Sequence, residues 1–269
     1  EMLYKTNIVL LVGLTDFGEF SPKKVTIWTT SKNLVLCTSF PFLSNIIKVK
    51  INKVRMIFCE INYLHIYSTD DMKVLHSFKK SDLSLDEIVL SRNNLKNVWL
   101  CHSTSKDEGI VRVIDTLKPT SKETQIQIKA HKSPILKMCL NYEGDRLATC
   151  SYKGTKIKIF SLPKGDLLYM FKKHFTSSFI FCLNFSRDNE KLISISDIGM
   201  MSLYDFKEEL ENLEKNKEAK RFVEPAGMEL NKSENENDFE IREASISYND
   251  ENLKKRNLVG FNNDKNNEA

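Results

Sequence analysis

Four short runs, Ile135-Leu136-Lys137-Met138-Cys139-Leu140, Arg146-Leu147-Ala148-Thr149-Cys150, Lys156-Ile157-Lys158-Ile159-Phe160 and Leu167-Leu168-Tyr169-Met170-Phe171, follow one another within residues 135–171. Each is rich in the β-branched and apolar residues that suit a pleated, half-buried surface. Between them stand Tyr142-Glu143-Gly144-Asp145, Ser151-Tyr152-Lys153-Gly154 and Pro163-Lys164-Gly165-Asp166. In such turns Gly supplies positive φ, Pro presets φ, and Asp or Ser bonds the local backbone. The stretch therefore predicts a four-stranded antiparallel unit.

The unit recurs. Ser177 to Tyr204 repeats its first three strands, with Ser186-Arg187-Asp188-Asn189 as the first turn. Third-strand equivalents are Val25-Thr26-Ile27-Trp28, Leu64-His65-Ile66-Tyr67, Val111-Arg112-Val113-Ile114, Lys156 to Phe160 and Met201-Ser202-Leu203-Tyr204. With Trp28, Tyr67, Ile114, Phe160 and Tyr204 aligned, successive offsets are 39, 47, 46 and 44 residues. That period, with four short strands per unit, is the signature of a β-propeller. The expected fold is all-β, with antiparallel blades packed face to face and a polar outer face on each strand. A closed seven-blade ring needs roughly 300 residues at this period, and about five blades are recognisable. The N-terminal blade is expected to be truncated, with one or two C-terminal blades missing or too divergent to read. Glu1 is no ordinary initiator, so a fragment or an incomplete gene model is expected.

Composition narrows the class further. At 41% hydrophobic and 28% charged, with 9 Gly and 6 Pro, the chain is neither collagen-like, nor a disulfide scaffold, nor disordered throughout. The longest apolar run, Ile8 to Leu14, is too short to span a bilayer. The 6 cysteines form no CxxC pair, which favours buried free thiols in a reducing compartment. Residues 1–206 carry 29 Lys+Arg against 20 Asp+Glu, whereas residues 207–269 carry 11 against 16. The domains expected are thus a basic propeller over 1–206 and an acidic Asn/Glu/Lys-rich tail or inter-strand loop over 207–269, largely disordered. A charged helix over Glu208 to Arg221 and closing strands at Phe239-Glu240-Ile241 and Ala244 to Tyr248 are the tail's candidate elements. No phosphate loop, HExxH or nucleophile elbow occurs, so no enzyme is expected.

The Trp-Asp dipeptide of WD40 repeats is absent. Instead, Leu10-Leu11-Val12-Gly13, Ser21-Pro22-Lys23-Lys24-Val25, Ile47 to Lys53, Ala130-His131-Lys132, Leu147 to Thr155 and Gly165 to Lys173 occur in an order and spacing that resemble the PROPPIN family. These are propellers that bind phosphatidylinositol 3-phosphate and 3,5-bisphosphate on endosomal and autophagic membranes. The family's Phe-Arg-Arg-Gly hallmark is replaced by Phe171-Lys172-Lys173-His174. Lysine keeps the charge and loses the bidentate guanidinium fork, so geometric selectivity should suffer more than attraction.

Carried over residue by residue, the resemblance implies one lipid pocket at His131, Ser151, Lys153, Thr155 and Lys172. A second pocket is implied at Lys173 and Ser178. There Phe179 replaces an expected Arg, Ser202 replaces an expected His, and Asp197 adds a negative charge. Bland readings stand beside these: a structural histidine bonded to a blade hydroxyl, a solvated lysine pair, and hydroxyls that cap their own turn. Trp28 and Trp99 read as core or blade-edge aromatics. The resemblance implies a non-catalytic phosphoinositide effector that recruits autophagy or endosomal trafficking proteins. It implies no cofactor, no nucleic acid and no small-molecule substrate. Such a protein would be cytoplasmic and peripherally recruited to autophagosomal, endosomal or vacuolar membranes, or to a relic plastid in lineages that have one. The alternative is a propeller interaction scaffold that has lost specific lipid binding.

Overall fold

A computed structural model describes residues 2, 8–15, 21–29, 39–79, 87–92, 98–104, 107–120, 125–172 and 178–206. Lys173, Cys37 and the whole tail from Lys207, with its candidate helix and strands, lie outside the described residues.

The first sheet holds β1 (Ile8–Val12), β2 (Lys24–Thr29) and β3 (Ser39–Pro41). The second holds β4 (Ile46–Ile51), β5 (Arg55–Glu60), β6 (Tyr63–Ser68) and β7 (Val74–Lys79). β8 (Ile88–Leu90), β9 (Trp99–Ser103), β10 (Gly109–Asp115) and β11 (Gln125–His131) form the third. β12 (Ile135–Leu140), β13 (Arg146–Ser151), β14 (Lys156–Ser161) and β15 (Leu167–Lys172) form the fourth, and β16 (Ile180–Phe185), β17 (Lys191–Ser196) and β18 (Met201–Asp205) the fifth. Every strand pairs antiparallel with its chain neighbour, as short hairpin turns require. Trp28, Tyr67, Ile114, Phe160 and Tyr204 fall on β2, β6, β10, β14 and β18, as the repeat alignment expects.

The core is divided among the interfaces between successive sheets. One cluster joins Val25 and Ile27 to Met56 and Phe58, and a second joins Ile57 and Ile66 to Leu100 and Ile114. A third packs Val111 and Val113 on Leu147 and Phe160, and the last packs Ile157 and Phe171 on Leu192 and Tyr204. Inner strands are therefore apolar on both faces: β5 and β13 are buried along almost their whole length. A polar outer face on every strand is not found, because an inner sheet has a neighbour on each side. Exposure concentrates on the fourth strand β7 and on β16 and β18 of the fifth sheet, where it includes the apolar Val74, Leu75, Phe181, Met201 and Leu203. β4, β8, β12 and β16 neighbour one another in that order and line a cavity of about 470 Å³. Trp99 is core and Trp28 half-buried. Cys59, Cys101, Cys139 and Cys150 are buried free thiols, with Cys182 half-buried. Burial pushes the Cys101 and Cys139 thiols far up.

Candidate functional site

β14 begins Lys156-Ile157-Lys158-Ile159, and strand alternation splits it. Ile157 and Ile159 enter the core against the fifth sheet, which turns Lys156 and Lys158 to the opposite face. Across the β14–β15 ladder Lys156 stands opposite Lys172, and Lys158 opposite Met170. Across β13–β14 Thr149 stands opposite Lys158. Three lysines and one threonine thus share the face turned to the third sheet.

His131, at the end of β11, meets that face. Its Nε2 lies 3.0 Å from Thr149 Oγ1 and 3.3 Å from the Thr149 carbonyl. Thr149 Oγ1 donates to the Lys158 carbonyl at 3.3 Å, which leaves it to accept from the ring. The imidazole therefore carries its proton on Nε2. Burial first, and then the charges of Lys158 and Lys156, lower the His131 pKa from 6.5 to about 4, against a raising bond to the Thr149 backbone. The ring is neutral at pH 7. Beneath it, a Cβ on Gly109 would lie 2.6 Å from His131 Cβ and 2.6 Å from the Ser133 carbonyl, so only glycine admits the ring's backbone so close.

The β13–β14 turn closes the same end of the sheet. The Gly154 amide donates to the Ser151 carbonyl at 2.9 Å, and the Tyr152 amide to the Pro134 carbonyl at 3.0 Å. Gly154 has a φ of 60°, and its Cα faces the carbonyl of Ser178 on the segment entering β16. Ser151 and Ser178 are buried, Thr155 and Lys172 half-buried, and Lys153 exposed. His131, Ser151, Lys153, Thr155, Lys172 and Ser178 therefore gather at one end of the fourth sheet, between its two neighbours. Sequence reading missed Lys156 and Lys158. The alternation that would have placed them on one face was visible, but their proximity to His131 was not.

The fifth sheet repeats the turn with different chemistry. Gly199, at φ 75°, donates to the Ser196 carbonyl at 3.1 Å, and the Asp197 amide donates to the Phe179 carbonyl at 2.9 Å. An acid stands where the fourth sheet has Tyr152, and Ile198 where it has Lys153. Phe179 is 51% and Ile198 61% exposed, and Phe179 packs its edge on Tyr152 at 6.1 Å between centroids. Ser202 is buried, and its hydroxyl finds no partner among the described residues.

The PROPPIN family profile matches residues 1–224. Autophagy-related protein 18 of Debaryomyces hansenii is 30% identical over 91% of this chain and 50% of its own length. The mouse (Mus musculus) WD repeat domain phosphoinositide-interacting protein 2 is 29% identical over 76% of this chain and 44% of its own. Among solved structures, Kluyveromyces lactis Hsv2 superposes with a TM-score of 0.64 at 20% identity, covering 77% of this chain and 61% of that one, a likeness of fold. The chain spans about half the length of the curated relatives it matches. The profile match over most of the chain, on a fold of successive three- and four-stranded antiparallel sheets, establishes that this chain belongs to the PROPPIN family.

Proposed function

We propose that this chain is a non-catalytic phosphoinositide effector whose lipid site is the lysine-bearing end of the fourth sheet. The observation that carries the reading is Lys156 standing opposite Lys172, with Lys158 on the same face. Like charges directly opposite in a ladder destabilise it, and a bound anion offsets that cost. A phosphate also wants several donors converging from different elements. Lys153, Lys156 and Lys172 supply the charge, Ser151 and Thr155 the hydroxyls, and neutral His131 positions Thr149 and Lys158. Lys173 and Ser178 are proposed as contacts for a second headgroup. The acid and exposed apolar residues at Asp197, Ile198 and Phe179 argue for weaker binding there.

The mouse relative is named for phosphoinositide interaction and the Debaryomyces relative for autophagy. Recruitment of autophagy or trafficking proteins to a phosphoinositide-bearing membrane is the role proposed by extension. Liposome flotation tests it, with vesicles containing phosphatidylinositol 3-phosphate compared with phosphatidylserine vesicles of equal charge. Lys172→Ala should reduce capture more than Lys173→Ala. Equal capture by both vesicle types would reduce the site to non-specific electrostatics.

A further inference from the structure

The innermost strands carry a charge pattern that the rim site does not use. β4, β12 and β16 each contain a bulge, between Ile46 and Lys48, Ile135 and Lys137, and Ile180 and Cys182. Lys48 and Lys137 occupy the same place after the bulge, paired respectively with Cys59 and Cys150. They therefore enter the central cavity at one level from the second and fourth sheets. Glu87, just before β8 of the third sheet, lies between them. Its Oε2 is 2.6 Å from Lys48 Nζ and 3.4 Å from Lys137 Nζ.

One carboxylate oxygen thus serves two ammonium groups, and two further cations, Lys50 and Arg92, line the same space. Among the described lining residues the positive charges exceed the negative by three. The glutamate ties three sheets together, but it neutralises only one of its neighbours. Low-dielectric walls around charges of one sign focus their field and concentrate counter-ions. A volume of about 470 Å³ is also of the size that holds a small ligand.

We propose that the central cavity is a second anion site, distinct from the rim, which takes a compact soluble molecule bearing several phosphates. Lysine ammonium groups on separate strands act as dispersed point charges, which suits a ligand whose phosphates project in several directions. Lys137 lies on the first strand of its sheet and Lys172 on the fourth, with two strands between them, so the two sites are separable by substitution.

Calorimetric titration of the full chain with inositol hexakisphosphate tests the assignment, beside flotation on phosphatidylinositol 3-phosphate vesicles. Saturable binding is expected, weakened about tenfold or more by Lys48→Gln with Lys137→Gln, since each loses a charge-assisted contact. Lys50→Gln should weaken it without touching the Glu87 bridges. Glu87→Gln, nearly isosteric, should tighten it by removing the competing carboxylate. Lys172→Ala should remove at most a separate rim phase of the titration and leave the binding that depends on Lys48 and Lys137 unchanged, and the cavity substitutions should leave vesicle capture unchanged. Absence of saturable binding, or loss of the Lys48- and Lys137-dependent binding in Glu87→Gln or Lys172→Ala, would overturn the proposal. So would loss of vesicle capture in the cavity variants without binding of the soluble probe, because the occupant would then be a lipid headgroup. Failure of rim capture alone rejects the lipid site and leaves the cavity assignment standing.

Discussion

Gly154 rests against the carbonyl oxygen of Ser178 so closely that a Cβ built on it would lie 1.7 Å from that oxygen. The contact locks the β13–β14 turn of the fourth sheet onto the entry to the fifth. It also brings Ser151, Lys153 and Thr155 within one turn of Ser178. Backbone meets backbone here, so no side-chain rotation relieves an intruding methyl.

Gly154→Ala should therefore destabilise the chain by about 2 kcal/mol or more, through its positive φ and the clash together. Gly199 is the control, with φ 75° and nothing within 4 Å of its added Cβ. Gly199→Ala should cost only about 1 kcal/mol, the conformational part alone. Urea unfolding of both variants decides the matter, since equal losses would mean that the interlock contributes nothing.

Lys156→Glu should separate stability from binding. It converts a like-charge pair across the ladder into an opposite-charge one, worth about 0.2–1 kcal/mol in favour of the fold. Vesicle capture should nonetheless collapse, because the phosphate loses a cation and meets a carboxylate. A rise in unfolding midpoint with unchanged capture would remove Lys156 from the site.

Below neutral pH the His131 environment should cost stability. The folded pKa is about 4 against the ordinary histidine value of 6.5, so between those values the unfolded chain binds a proton that the folded chain refuses. Stability is fully present above pH 6.5 and falls as pH drops towards 4, by on the order of 2–3 kcal/mol. Urea midpoints at pH 7 and 4.5 should show the loss, and His131→Gln should flatten that part of the slope. Vesicle capture should change little between pH 6.5 and 8, since the ring stays neutral there.

Phe171 anchors the strand end that carries Lys172. It is 1% exposed and packs on Tyr204 and Phe206 at 4.5 and 5.9 Å between centroids. Phe171→Ala should cost about 3–5 kcal/mol and Phe171→Leu markedly less. Thermal unfolding ranks them. A Phe171→Leu chain that stays folded yet loses vesicle capture would show that the ring positions Lys172.

Much of the candidate site's placement in the fold was legible because it depends on local periods and turns. The Ser151-Tyr152-Lys153-Gly154 turn, with glycine at its positive φ, forms where the residue types require it. The family pattern of His131, Ser151, Lys153, Thr155, Lys172 and Ser178 also gathers at one sheet end. The engagement of His131 by Thr149 was open in the sequence, where a structural histidine and a ligand read alike. Charge alone could not decide it, since the shift to a low pKa comes from burial and from lysines on two other ladder positions.

What the sequence determined by itself is the strand period, the turn positions and the repeat, since each follows from residues a few places apart. The tertiary structure decided which side chains meet. Lys156 faces Lys172 only because a bulge between Ile159 and Phe160 shifts the β14–β15 register. Without that one-residue slip Lys156 would stand opposite Phe171, and the two lysines would no longer be cross-strand partners. Glu87 likewise meets Lys48 and Lys137 across separations of 39 and 50 residues, which only the docking of separate sheets can close. A strand's alternation is fixed by its own backbone geometry, whereas the approach of one sheet to the next is set by the packing between them.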